Sequence, residues 1–381
     1  MSKTVTGIPL AGTNAGTQRS LTVHRYGTPG AHPKAYVQAS LHADEIPGML
    51  VAHHLIRRLD EAAQEGAIRG EIIVVPSANP IGLDQFLDER PLGRFELGGA
   101  GNFNRHYPEL TPAVAEKVKG RLGADAGANV EVIRAALREA LTELKPVTEA
   151  DHLRHALLAL AIDSDIVLDL HCDDQALLHL YLGTPLWPEA EDLPRQLGAE
   201  IVLLAEVSGG EPFDEACSSP WWRLRDLIGT DHPIPAACLA STVELRGQVD
   251  VDDATAAEDA ANLFRFLQHR GLIAGKAGPL PAARCAATPL AGVDMIKAPV
   301  SGIVAYRVTL GDRVRRGDVI AEIVDPIGND PRTARTPVYA ATDGPVWAMN
   351  AHRYARAGQI IAKVSGSHAL EGKGKFLLTA R

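Results

Sequence analysis

Cysteine is scarce in this chain: four residues, Cys172, Cys217, Cys238 and Cys285, with no C-x-x-C pair among them. That excludes a disulfide framework and a cysteine zinc site, and the four read as reduced residues of a cytoplasmic enzyme. Any metal site must then draw on His, Asp or Glu. Positive charge is also short. Thirty-eight Lys and Arg against 47 Asp and Glu leave a net charge of −9, with no basic stripe, so neither nucleic acid nor an anionic membrane surface is expected as a partner. Nowhere do 18 apolar residues run together, and the first twenty residues, MSKTVTGIPLAGTNAGTQRS, hold no apolar core of signal-peptide type. The expectation is a cytoplasmic chain without a membrane span. What is present, 381 residues at 46% hydrophobic and 22% charged, is ordinary globular composition with length for two or three domains.

Up to about residue 285 the pattern alternates strand and helix. AYVQASL (35–41) reads as a strand, GMLVAHHLIRRLDEAAQ (48–64) as an amphipathic helix and EIIVVPS (71–77) as a strand again. Residues 129–162 are helix-rich, DIVLDLH (165–171) and AACLASTVELRG (236–247) are strands, and AEDAANLFRFLQHRGLI (257–273) is a closing helix expected to bury Leu263, Phe264 and Leu267, with Gly271 to stop it. Short, continuously apolar strands between helices imply an α/β fold with a sheet covered on both faces. Around residue 286 Pro, Gly and Ala crowd together and the helical periods stop, so the chain divides into residues 1–285 and 286–381. Beyond that point KAPVSGIVAYRVTLGDRVRRGDVIAEIVD (297–325) and YAATDGPVWAMNAHRYARAGQIIAKVSG (339–366) align as a degenerate repeat. Two such copies predict a small closed all-β sandwich, and the first copy is similar to the half-motif of biotinyl/lipoyl carrier domains.

Four stretches carry the chemistry. SLHADEIPGML (40–50) runs a buried strand into His42 and Glu45 where a helix is about to start. GNFNRHYP (101–108) puts Asn104 and Arg105 on a Gly-rich loop, IVLDLHCDD (166–174) sets His171 at a strand end, and STVELRGQ (241–248) does the same for Glu244. Ligand sites in α/β sheets form beyond the carboxyl ends of strands, so His42, His171 and Glu244 are expected at one rim. A catalytic zinc takes three His or carboxylate ligands and leaves a place for water, whose pKa it lowers toward ~7. His42 and Glu45 are a short-spaced pair and His171 a distant third. Glu244 is then free to serve as base, and Arg94 and Arg105 are candidates to meet a developing oxyanion and a substrate carboxylate.

His42-Ala-Asp-Glu45, Asn102-Phe-Asn104-Arg105, Asp169-Leu-His171 and Val243-Glu244-Leu together resemble the motif series of the succinylglutamate desuccinylase/aspartoacylase family, within the zinc carboxypeptidase superfamily. The resemblance implies a mixed-sheet, zinc-carboxypeptidase-like domain followed by an all-β barrel-sandwich (lipoyl-like) domain. It implies one Zn2+ per chain on His42, Glu45 and His171, with Glu244 as general base and later acid. Asn104 and Arg105 would bind the substrate carboxylate, and Arg94 would polarise the scissile carbonyl. Two positions depart from the family pattern: Asp173 and Asp174 follow the third ligand where small residues are common, and Arg246 stands where Gly is common. Asp173 and Asp174, if near the metal, would favour a cationic substrate over one bringing a second carboxylate.

The expected activity is therefore zinc-dependent hydrolysis of the amide bond of a small carboxylate-bearing substrate, of the N-acyl amino acid deacylase type. A metallocarboxypeptidase acting on short peptides is the alternative within the same chemistry, and a non-catalytic binding protein on this fold is the alternative outside it. A carrier role fails on one residue type, because the hairpin after VIAEIVD reads PIGND and has no lysine to modify. The expected partner is the small-molecule substrate; a homo-oligomer is compatible with the sequence. His53, His54, Trp221 and Trp222 read as packing or surface residues.

Overall fold

The computed structural model describes residues 3–12, 14–99, 101–374 and 377–378. The outermost ends of the two expected segments, 1–2 and 379–381, lie outside them. Numbering strands of three or more residues, the framework is a nine-stranded sheet. It takes β1 (Lys3–Pro9), β2 (Ser20–Gly27), β3 (Lys34–Ala39), β4 (Glu71–Val75), β5 (Ile166–Asp173), β6 (His179–Gly183), β7 (Ile201–Ala205), β8 (Leu239–Gly247) and β9 (Ala287–Pro289). Their order in space is β1-β2-β4-β3-β5-β8-β6-β7-β9. The central strands β4, β3, β5 and β8 are mutually parallel, while β1, β2 and β6 run antiparallel to neighbours. The sheet is thus mixed.

Both faces are covered, which is why the central strands read as unbroken apolar runs. In β4, Ile72 and Val74 pack into one layer and Ile73 and Val75 into the other. Helices α1 (Pro47–Gln64) and α6 (Asp253–His269) close the first face; α2 (Thr111–Val118), α3 (Ala126–Thr142), α4 (Glu149–Ala161) and α5 (Phe213–Ile228) close the second. Helix α6 buries Leu263, Phe266 and Leu267. Phe264, expected in that set, is only half-buried. At about 100° per residue, positions i, i+3 and i+4 share a face and i+1 falls off it. Trp221 and Trp222 are both core residues.

From Val293 to Ser365 the described residues form strands and turns, with no α-helix. Strands β10 (Val293–Lys297), β14 (Gly344–Met349) and β15 (Ile360–Ser365) share one sheet; β11 (Gly302–Tyr306), β12 (Val319–Val324) and β13 (Arg335–Tyr339) share another. Ile296, Val304, Ile320, Val346, Ile361 and Val364 pack between them. The short strand Gln175–Ala176, two residues past β5, pairs antiparallel with β14. A seam of Ile201, Leu203, Leu290, Val293 and Trp347 joins the two regions. These contacts hold the C-terminal strands beside the carboxyl end of β5. Among the described residues no helix is long and apolar enough to cross a membrane.

Candidate active site

Strands β3, β5 and β8 lie side by side and parallel, with Ala39 opposite Leu170 and Glu244 opposite His171. Whatever follows their last residues emerges at one rim. At the end of β3 the backbone turns through Ser40, a non-glycine residue at φ 63°, and delivers His42 to that rim. Pro47 then starts α1 at a position that needs no N–H. Gly48 lets the helix approach, since a Cβ there would sit 3.0 Å from the Leu170 Cβ. Gly93 does the same for the Arg94 loop: a Cβ would meet the Asp44 nitrogen at 2.3 Å, and the Ala43 N–H donates to the Gly93 carbonyl at 3.0 Å. A histidine and a glutamate at the strand-to-helix turn therefore face a second loop that carries an arginine.

His42, Glu45 and His171 meet there, all three buried, with ligand atoms within 4.8 Å of one another. The Glu45 carboxylate lies between the imidazoles, 2.9 Å from His42 Nδ1 and 2.7 Å from His171 Nδ1. Its Oε2 also accepts the Cys172 N–H at 3.1 Å, and Arg94 donates to Oε1 at 2.9 Å. Each ring is held from behind. His42 Nε2 lies 2.8 Å from Asn102 Oδ1, and that oxygen also accepts the Asn104 N–H at 2.9 Å, which fixes which end of the amide is the acceptor. His171 Nε2 lies 2.9 Å from Asp169 Oδ2. An acceptor thus lies near each Nε2, so that with a metal bound the ring proton would sit on Nε2 and leave each Nδ1 to the ion. Two imidazole nitrogens, one carboxylate oxygen and outer acceptors that lock the tautomers form a donor set suited to zinc. The residues present fit the ion that the sequence motifs imply.

Charge follows the same geometry. Burial pushes His42 down to about 4, and the Arg94 charge adds to it. Burial also opposes a charged His171, but the Asp169 and Glu45 carboxylates outweigh it and hold its pKa well above the usual value. Glu45 is held well below the carboxylate range because the two histidines outweigh its burial. Glu244, on β8, is pushed up by burial and then by the Glu45 charge; its buried Oε2 has no hydrogen-bond partner among the described residues.

A cavity of about 200 Å³ opens here, lined by His42, Arg94, Asn104, Arg105, His171 and Glu244 among others. Every candidate singled out from sequence is thus in or against one space. Arg94 reaches Glu45. The Arg105 Nη1–H donates to the Asn104 carbonyl at 2.6 Å, and its buried Nε has no partner among the described residues. Asn104 spends its Oδ1 on the N–H of Phe213, at 2.9 Å, and so ties the start of α5 to the site. Arg246 points away from the cavity. It sits at φ 67°, the left-handed region that favours glycine, and pairs in a fork with Asp259 of α6 at 2.8 and 3.0 Å.

Several residues were not given a role from sequence. Asn102 and Asp169 had a readable signal, since each lies two residues from a named position and, on a strand, positions i and i+2 share a face. Tyr181, Asp214, Met295, Ile360 and Lys363 also line the cavity and had none. Lys363 of β15 forms an ion pair with Asp173. Asp173, read as a free charge toward substrate, is thereby neutralised.

Residues 31–129 match the family model for the succinylglutamate desuccinylase/aspartoacylase catalytic domain. No protein of curated function matches the chain in sequence. Among solved structures, a succinylglutamate desuccinylase/aspartoacylase family protein from Shewanella amazonensis SB2B superposes with a TM-score of 0.83 at 28% identity, covering 95% of this chain and 98% of that one. A succinylglutamate desuccinylase/aspartoacylase from Shewanella frigidimarina NCIMB 400 gives 0.82 at 26% identity, covering 96% and 97%. A third, from Rhodobacter sphaeroides, shares the fold, with a TM-score of 0.65 at 18% identity over 96% and 95%. Sequence motifs, family model and fold agree: the family this chain resembles is the succinylglutamate desuccinylase/aspartoacylase family of hydrolases.

Proposed function

We propose that this chain is a zinc-dependent hydrolase that cleaves the amide bond of a small carboxylate-bearing substrate, of the N-acyl amino acid type. Its main support is the convergence of three metal-suited donors with Glu244, whose buried Oε2 has no hydrogen-bond partner among the described residues, at one cavity. His42, Glu45 and His171 would hold the ion. When bound, zinc supplies a Lewis acid and lowers the pKa of water beside it. Glu244 takes the proton of the attacking water as the new C–O bond forms at the amide carbon. It returns that proton to the nitrogen as the C–N bond breaks, and the proton left on the new carboxyl passes to the amine, so a carboxylate and an ammonium leave. The raised proton affinity of Glu244 suits both halves of this exchange. Arg105 binds the substrate carboxylate, and Arg94 faces the carbonyl oxygen as charge develops on it.

A space of about 200 Å³ suits an acyl amino acid better than a polypeptide, which places the carboxypeptidase alternative second. Residues 286–381 act, in this proposal, as a barrel-sandwich (lipoyl-like) unit that walls the cavity through Met295, Ile360 and Lys363. The protein works in the cytoplasm on a small molecule, with no nucleic acid or membrane partner.

The test is a screen of N-acetyl, N-succinyl and dipeptide substrates by release of free amine, before and after chelation and zinc add-back. Activity should vanish with the metal and return with it. Glu244→Gln should keep the metal and lose about 10²–10⁴-fold in turnover. Undiminished activity in metal-free protein, or a Glu244→Gln enzyme within a few fold of the parent, would sink the proposal.

A further inference from the structure

Arg94 meets Glu45 and Lys363 meets Asp173 in ion pairs. Glu215, half-buried, is answered by the Ser208 N–H at 2.6 Å. Asp214 is buried more deeply. It lies in the first turn of α5, is 7% exposed and lines the cavity. Its carboxyl meets the backbone N–H of Glu215, and no cation among the described residues forms an ion pair with it. Burial, with Glu215 and Asp169 adding negative charge nearby, pushes it up to about 7. A buried carboxylate is costly unless something pairs with it. An acid that serves only the dipole of its helix does so from the surface. In this cavity the missing partner has room to arrive with the ligand. Arg105 lines the same space, and its charge and that of Asp214 act on one another; His171 is the other cation that Asp214 feels. One cavity of about 200 Å³ therefore offers a guanidinium and a carboxyl that form no ion pair among the described residues.

We propose that Asp214 is a specificity residue that binds a free ammonium group of the substrate, so that the N-acyl amino acid taken by this chain carries a second, unacylated amine. This rests on the hydrolase reading of the same site and narrows its substrate to monoacylated diamino acids. The carboxylate goes to Arg105, the ammonium to Asp214, and the acylated nitrogen to the reacting centre. The negative charge that the sequence suggested at Asp173 and Asp174 comes instead from helix α5, because Lys363 already pairs with Asp173 and Asp174 lies outside the cavity lining.

The experiment compares kcat/KM of the zinc-loaded full chain for N-acetylornithine, the neutral analogue N-acetylnorvaline that lacks the terminal nitrogen, and N-acetylglutamate, in the parent and in Asp214→Asn. The parent should prefer N-acetylornithine. Asp214→Asn should lower the ornithine-to-norvaline ratio by about ten- to a hundredfold, the range for a hydrogen bond to a charged group, while N-acetylnorvaline changes little. Equal losses on all three substrates, the signature of a purely structural acid, would overturn the proposal; so would an unmoved ratio or a parent that prefers N-acetylglutamate. A parent that cleaves no N-acyl substrate would instead overturn the hydrolase reading beneath it. Competitive inhibition of the parent by ornithine and norvaline gives a measure independent of whether the variant folds. Ornithine should bind at least tenfold more tightly, and equal inhibition refutes an ammonium site.

Discussion

Asp169→Asn tests how the metal centre is held, because it changes one atom in a buried relay and leaves the shape intact. The relay runs from the Tyr36 hydroxyl to Gln38 Oε1 at 2.8 Å and from Gln38 Nε2 to Asp169 Oδ1 at 2.9 Å, with Asp169 Oδ2 2.9 Å from His171 Nε2. Asp169 and Gln38 are both fully buried, so water cannot replace a lost partner. An asparagine keeps one of the two acceptors. If its oxygen faces His171, its amide meets the Gln38 amide donor to donor, and turning Gln38 to relieve this strands the Tyr36 hydroxyl. One buried polar group is then unpaired, at a cost of about 1–3 kcal/mol to the apo fold. If the oxygen instead stays with Gln38, the new amide faces Nε2 donor to donor, and His171 can keep only its Nδ1 proton, on the nitrogen that faces Glu45. Either arrangement weakens the ring as a ligand. Loss of such an outer partner typically lowers metal affinity by about 10–100-fold, or about 1.4–2.8 kcal/mol at 1.4 kcal/mol per decade. Competition with a chromophoric zinc chelator reads the affinity and urea unfolding of the apo protein reads the stability. A folded Asp169→Asn protein whose zinc affinity stays within twofold of the parent would refute the tautomer-locking role.

Arg105→Ala should chiefly raise KM for carboxylate substrates, whereas Arg94→Ala should chiefly lower kcat, since one group binds the ground state and the other the developing charge. Steady-state kinetics that show equal, small effects from both would return them to structural ion pairs. The apo protein should lose stability in acid as Asp163 protonates. Burial would raise that carboxyl, but Lys34 and Arg138 outweigh it and hold its pKa below the usual 3.8. A folded pKa below the unfolded one stabilises the protein above the unfolded value, and that contribution is lost as pH falls through the folded value, so the decline sets in below about pH 4. Urea midpoints in Asp163→Asn that fall as steeply between pH 5 and 3 as in the parent would remove Asp163 from the account.

The sequence by itself determined the strand-and-helix alternation of the first 285 residues, because strands buried on both faces must be short and apolar throughout, and helices with one buried face must repeat at 3.6. It also determined which side chains crowd the rim of β3, β5 and β8: parallel neighbours end together, so His42, His171 and Glu244 could be placed at one edge before any coordinates. Local rules reached Gly48 and Pro47 at the turn into α1, and they could have reached Asp169 from its spacing to His171. Contacts between distant segments are beyond such rules. That Phe266 rather than Phe264 faces the sheet depends on where α6 begins, and Arg246 in a left-handed conformation is tolerable only because Asp259 waits on another helix. Only the tertiary structure decided that Lys363, 190 residues on, would neutralise Asp173, and that Asp214 would be buried beside the same cavity with no ion pair among the described residues. The charge a substrate meets is a sum over segments brought together by packing, and no spacing within one segment encodes it.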